Sequence, residues 1–310
     1  MEYIKGIESY QGTKPTAITL GKFDGIHVGH QKLVNCVKDH GMKDHVKSVV
    51  FAFDMGPLYQ RLQMKKEGLM TNRERYLYLD GQVDYLVECR FTEDISSMKA
   101  EDFIKHIIVG TFHARYVVVG TDFYFGNGKQ GDYHMLEQYA GTYGYQVEVI
   151  EKECYQGREI SSTYIKEEVK KGNMELAHTL LGYPYAVMGR VEHGRRLGRT
   201  LGIPTMNVTP KEEKLLPPHG VYAIKVSVDH VWYEGIGNVG VKPTVVDSPY
   251  QKQRIECHLF DYHEETYGKE ILIALYAYER AEQKFSSVEE LQAHMKKDIA
   301  YGKQYFTKEG

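Results

Sequence analysis

The chain has 310 residues, enough for two domains each with its own core, and its formal net charge of -3 leaves no general basic footprint for nucleic acid. No apolar run reaches membrane-spanning length, and the opening MEYIKGIESY lacks the charged head and apolar middle of a signal peptide, so no membrane association and a cytoplasmic location are expected. Cys36, Cys89, Cys154 and Cys257 lie far apart without a CxxC pair; they indicate neither a disulfide framework nor a zinc site and read as reduced packing thiols.

In chain order, the apolar runs TAITLG, KSVVFAF, DYLVECRF, RYVVVG and QVEVI alternate with segments of helical period. That alternation predicts a parallel sheet covered by helices, an α/β domain. The pattern changes around Leu181 to Pro184, which places domains at 1–182 and 183–310. Beyond it YAVMGRVEHG, GVYAIKVSV, VWYEGIGNVG, QRIECHLFDY and KEILIALYAYER alternate apolar and polar residues between Gly, Pro and Asp breaks, as in an antiparallel barrel or sandwich. The closing SSVEELQAHMKKDIAYGKQYF predicts a helix with Ser287 at its N-cap and Glu290 completing a capping box.

Four stretches carry chemistry. In ITLGKFDGIHVGHQKLV a strand ends at Gly21, a glycine-bearing turn follows, and a helix starts near Val28. Backbone N–H groups and the positive helix end are then free to meet an anion. His27 and His30 can point the same way, and Gly25 and Gly29 let phosphates approach the backbone. Two imidazoles beside an anion hole suit nucleotidyl transfer, in which charge builds on the α-phosphate and the departing pyrophosphate. Taken alone, the spacing more often marks a capped or packed helix start.

ISSTYIK offers the hydroxyls of Ser161, Ser162 and Thr163 and the cation Lys166 at a helix start, which suits a pyrophosphate cradle and equally a serine-rich cap. GRRLGRTLGIPTMNV ends in Thr205 and Asn207, two apart; on a strand both oxygens face one way and could hold Mg²⁺ bridging nucleotide phosphates. Gly198, Arg199 and Thr200 could contact those phosphates, the alternative being a basic surface loop with a turn at Pro204. In QRIECHLFDY, alternation sets Ile255, Cys257 and Leu259 on one face and Glu256, His258 and Phe260 on the other. Glu256 is then placed to take a proton from an alcohol, although an isolated glutamate is more often salt-bridged at the surface.

GKFDGIHVGH resembles the HxGH signature of the adenylyltransferase superfamily, and with Phe23 and Asp24 ahead of the histidines it resembles the bacterial bifunctional riboflavin kinase/FAD synthetase family. VVVGTDFYFGNGKQGD is similar to that family's flavin-side loop, ISSTYIK to its ISSTxxR triphosphate motif, and GRRLGRTLGIPTMNV to its GxxxGRTLGxPTxN kinase motif. The resemblance implies a Rossmann-like nucleotidyltransferase domain followed by an antiparallel β-barrel riboflavin kinase domain with a C-terminal helix. It implies His27, His30 and Glu256 as catalytic residues, and Gly21, Phe23, Asp24, Gly25, Gly29, Ser161, Ser162, Thr163, Lys166, Gly198, Arg199 and Thr200 around ATP. Asp122, Phe123 and Phe125 would meet the flavin, and Thr205 and Asn207 the Mg²⁺. Riboflavin, FMN, FAD and ATP are the implied small-molecule partners, with Mg²⁺ as cofactor.

The sequence also departs from the family. FDMGP stands where an FxPHP run is usual, Tyr124 replaces an arginine before the second phenylalanine, and Lys166 replaces an arginine, keeping charge but losing the planar fork. All three changes fall in the adenylyltransferase half. They keep open a kinase alone, and a flavin-binding regulatory protein is a further alternative.

Overall fold

The computed structural model describes residues 1–194, 198, 201–241 and 253–309. Arg199 and Thr200, named above for phosphate contacts, lie outside the described residues. The chain packs as two compact units, Met1–Lys66 with Met70–Ser162, and Glu67–Leu69 with Thr163–Gly310.

The first unit is built on six parallel strands. They are β1 (Glu2–Lys5), β2 (Thr16–Gly21), β3 (Lys47–Asp54), β4 (Tyr85–Arg90), β5 (Ala114–Gly120) and, beyond a short hairpin of β6 (Tyr124–Phe125) with β7 (Gly131–Asp132), β8 (Gln146–Ile150). The sheet order is β1-β4-β3-β2-β5-β8. Ser48 through Ala52 of β3 are buried without a break, because helices cover both faces of the sheet. Ile18, Leu20, Val49 and Phe51 enter one core and Ala17, Val50 and Ala52 the other, as period-two alternation requires.

The helices are α1 (Val28–Lys43), α2 (Gly56–Arg61), α3 (Asn72–Leu79), α4 (Glu93–Ser97), α5 (Ala100–Asp102), which runs into a π-helical stretch Phe103–Thr111, and α6 (Tyr133–Tyr143). Each of the five apolar runs forms a strand. β1 was not foreseen, since four residues at a sheet edge carry too little pattern to read. The short strands β9 (Cys154–Tyr155) and β10 (Arg158–Glu159) pair antiparallel ahead of the next helix.

The second unit takes in most of α7 (Ser162–Lys171), then α8 (Met174–Leu181), which Gly182 ends in the left-handed conformation at φ 78°. A closed antiparallel barrel follows, formed by β11 (Tyr185–Glu192), β12 (Met206–Pro210), β13 (Gly220–Val228), β14 (Val231–Val241), β15 (Gln253–Leu259) and β16 (Glu270–Ala281). Around it the order is β11-β12-β15-β14-β13-β16, which leaves no open edge. The strand absent from the five runs, β12, starts inside the PTMN segment at Met206, with Pro204 and Thr205 just ahead of it. Helix α9 (Val288–Glu309) lays Phe306 against Ala223 and Ala277, and Ile299 against Val221, Ile236 and Phe260.

Ser287 caps α9 as expected, its hydroxyl accepting from the Glu290 N–H at 3.1 Å. The return arm of the expected box goes elsewhere. The Glu290 carboxylate takes the N–H and hydroxyl of Ser286, at 2.8 and 2.6 Å, because Ser286 offers two donors in place of one.

Candidate active sites

In the first unit, β2 stops at Gly21 and the chain turns through Phe23 (φ 47°) and Gly25 (φ 69°) into α1. A left-handed phenylalanine is strained, and it is held because its ring is fully buried under the turn. His27 is the N-cap of α1, with Nδ1 accepting from the His30 N–H at 3.4 Å. His30 Nδ1 lies 3.1 Å from the Gly25 carbonyl oxygen, which can only accept, so this nitrogen carries a proton. The two rings stack with centroids 3.8 Å apart, and a side chain at Gly29 would press within 3.3 Å of the His27 ring.

Both imidazoles are biased toward the neutral form. Burial, and then the neighbouring His30, push His27 down to about 3. Burial also lowers His30, against the Gly25 carbonyl and the carboxylates of Asp24 and Asp122. With Nδ1 occupied as an acceptor, His27 carries its proton on Nε2, which is left as a donor. Ser162, the first residue of α7, donates its hydroxyl to the Asp24 carbonyl at 2.7 Å, and the Asp24 carboxylate accepts from the Met70 N–H at 3.3 Å. The HVGH turn and the start of the ISST motif are therefore one structure. Ser161 is half-buried; Thr163, exposed, and Lys166, half-buried, follow on α7 and count with the second unit.

In the barrel, register sets Glu256 of β15 directly opposite Asn207 of β12 on one side and Asn238 of β14 on the other. Ile255, Cys257 and Leu259 are buried while Glu256 and His258 are half-exposed, as the alternation predicts. Arg254 pairs with the Glu256 carboxylate, and Asn238 donates to Glu282 at 2.9 Å. The Asn207 Oδ1 is buried without a hydrogen-bond partner among the described residues. An oxygen left so is costly unless a ligand meets it. Thr205 immediately precedes β12 and borders two clefts. One, of about 340 Å³, is also lined by Asn207, Tyr262 and Tyr267; the other, of about 190 Å³, by Gly198, Asn238 and Glu256. At Gly198 a side chain would collide with the Ile203 carbonyl at 2.4 Å. His258 Nδ1 meets the Pro204 carbonyl at 2.9 Å, fixing the turn that delivers Thr205.

Comparison with known proteins agrees with both halves. Residues 10–164 match the FAD synthetase family model and residues 181–306 the riboflavin kinase family model. The bifunctional riboflavin kinase/FMN adenylyltransferase of Escherichia coli K12 is 34% identical over 311 aligned positions, covering 99% of this chain and 98% of that one. The chain belongs to the bifunctional riboflavin kinase/FMN adenylyltransferase family. The Bacillus subtilis enzyme of the same name is 35% identical, covering 94% of this chain and 93% of its own. A crystal structure described as a macrolide-efflux protein from Streptococcus pneumoniae superposes with a TM-score of 0.85 at 27% identity, over 97% of this chain and 98% of that one. Among the described residues no helix is long and apolar enough to cross a membrane.

In the loop expected to meet the flavin, Asp122 is exposed and paired with Lys152 at 3.2 Å, while Phe125 is buried and stacks on half-buried Phe123 at 5.5 Å. Tyr124 is 54% exposed with Lys129 5.9 Å over its ring, so a cation stands at that loop. At FDMGP the turn is organised by Asp54, whose carboxylate takes the Gly56 N–H at 3.0 Å and Lys66 at 3.3 Å.

Sequence reading missed Arg75. It is buried on α3, donates to the Lys22 carbonyl at 2.8 Å, and pairs with buried Glu88 at 3.1 Å. Its only local signal was the TNRE start of α3, where Thr71 and Glu74 make a reciprocal capping box.

Proposed function

We propose that the barrel phosphorylates riboflavin to FMN and that the parallel-sheet unit adenylylates FMN to FAD, each step using one ATP. The observation that carries the kinase assignment is the row Asn207–Glu256–Asn238, with a buried oxygen at Asn207 that no described residue meets. Glu256 accepts the proton of the ribityl 5'-hydroxyl as that oxygen attacks the γ-phosphorus. The new P–O bond forms as the bond to the β-phosphate oxygen breaks, releasing ADP. Thr205 Oγ1 and Asn207 Oδ1 are the residues that would hold Mg²⁺, an ion that neutralises charge on the transferring phosphates.

For adenylylation, an FMN phosphate oxygen bonds to the α-phosphorus of ATP and pyrophosphate departs. His27 donates from Nε2 to the charge that builds there. His30, with Nδ1 committed to Gly25, donates from Nε2 only once protonated, and the incoming polyphosphate favours that proton. The turn of Gly21, Phe23, Asp24, Gly25 and Gly29 is assigned to the triphosphate, as are Ser161 and, on α7, Ser162, Thr163 and Lys166; Gly198, Arg199 and Thr200 are assigned to the kinase ATP. Asp122, Phe123 and Phe125 are assigned to the flavin. The activities are divided at 182/183, and the protein acts in the cytoplasm on small molecules.

The test is chromatographic. Purified protein with Mg²⁺ and ATP should convert riboflavin to FMN, and supplied FMN to FAD and pyrophosphate. FMN without FAD would leave a kinase alone, with FDMGP, Tyr124 and Lys166 as the leading cause. Tight flavin binding with neither product would leave the regulatory reading.

A further inference from the structure

On α1, remote from its first turn, Cys36 and His40 stand four apart and so share a face, and that face meets Glu148 on the edge strand β8. The Cys36 thiol donates to Glu148 Oε2 at 3.0 Å, and His40 Nε2 lies 2.5 Å from Glu148 Oε1. One sulfur, one imidazole nitrogen and one carboxylate oxygen all fall within 4.8 Å of one another. We propose that Cys36, His40 and Glu148 form a binding site for a divalent cation of the zinc type, clamping α1 to β8.

Two further observations point the same way. Behind the imidazole, Asp44 Oδ2 lies 2.7 Å from His40 Nδ1, and the ring is stacked on Tyr116 at 3.8 Å. A carboxylate on the far nitrogen fixes the tautomer and turns Nε2 toward the cluster, the support that metal-bound histidines receive. The donor set is equally selective. Thiolate and imidazole favour zinc or cobalt over the all-oxygen ions magnesium and calcium.

The protons also balance. Binding expels the thiol proton and any proton shared between His40 Nε2 and Glu148, and the cation takes the space between these donors. Zinc at bond lengths of about 2.0 to 2.3 Å needs its ligands further apart than the present hydrogen bonds, by up to about 1 Å. The Glu148 side chain is 41% exposed, so its movement toward solvent would supply that distance and water a fourth ligand.

Sequence spacing could not reveal the site, because Glu148 is 108 residues from His40. The inference does not depend on the flavin reactions.

Co²⁺ titrated into chelator-treated full-length protein is expected to give one equivalent of a thiolate-to-cobalt charge-transfer band that Zn²⁺ displaces. Cys36→Ser should abolish the band, and Asp44→Asn should weaken binding by about 10- to 100-fold. Cys154→Ser, at an exposed thiol, should leave the band intact. Absence of the band in the parent, or its survival in Cys36→Ser, would overturn the proposal. Should Cys36→Ser not fold, Glu148→Gln replaces it as the test. Parent-like Co²⁺ affinity in Glu148→Gln would exclude the site.

Discussion

Arg75 holds the carbonyl of Lys22, a donor–acceptor pair 53 residues apart at 2.8 Å, and thereby fixes the turn that carries His27 and His30. The same guanidinium reaches Asn72 at 2.7 Å and Glu88 at 3.1 Å, and Tyr3 donates to the Glu88 carboxylate. Removing the cation leaves a buried carboxylate unpaired, at a cost of about 3–5 kcal/mol. Arg75→Ala should unfold the first unit well below the parent's melting temperature. Arg75→Lys keeps charge but loses the fork. It should fold and slow FAD formation at least about 10-fold while riboflavin phosphorylation continues. A parent-like FAD rate in Arg75→Lys would remove Arg75 from the positioning of the turn.

His27 is both a cap and a proposed donor, and one substitution separates the roles. Asparagine caps as well as any residue but cannot place a donor where Nε2 lies. His27→Asn should keep the parent's melting temperature near neutral pH and lose about 10²- to 10³-fold in FAD synthesis. A lower melting temperature with FAD synthesis intact would leave only the cap.

The same histidine makes the first unit acid-sensitive. Its pKa of about 3 in the folded protein lies below the ordinary histidine value of 6.5, so between these values the unfolded chain binds the extra proton. Stability is full above the unfolded value and falls as pH drops through that window. Melting curves at about pH 7.5 and about pH 4.5 should show a smaller loss in His27→Asn than in the parent. Equal losses would mean the imidazole is not buried neutral.

Glu256→Gln preserves shape and removes the proton acceptor, so FMN formation should drop by about 100-fold or more. FAD formation from supplied FMN should persist in the same preparation. Thr205→Ala and Asn207→Ala should each raise the Mg²⁺ and ATP concentrations that half-saturate the kinase. Unchanged Mg²⁺ dependence in both would sink the ion site, and an undiminished rate in Glu256→Gln would exclude the base.

Glu279 gives the barrel an opposite pH response. Its Oε2 is buried without a partner among the described residues, and desolvation, followed by Asp298, raises it to about 7 against the opposing charge of Arg280. A carboxyl raised above its unfolded value of 4.5 contributes stability below that value and loses it as pH rises through about 7. Thermal melts should therefore show the barrel weakening from about pH 5 to about pH 8, and Glu279→Gln should flatten that slope. A slope unchanged by the substitution would assign it to other groups.

Sequence alone determined what short-range periodicity and local caps control. The alternation in QRIECHLFDY put Ile255, Cys257 and Leu259 inside and Glu256 outside, because side chains on a strand alternate whatever the strand pairs with. The Gly21 stop and the Val28 start followed from a strand, a turn and a capped helix in close succession. Tertiary structure decided the pairings. Asn238 stands beside Glu256 through barrel register, Arg75 beneath Lys22 through the docking of α3, and Glu148 against His40 because β8 lies at the sheet edge next to α1. β1 and β12, four and five residues long, are strands only because neighbours take up their backbone groups. Such contacts join residues whose separation in the chain carries no period, so the sequence names the partners without saying which will meet.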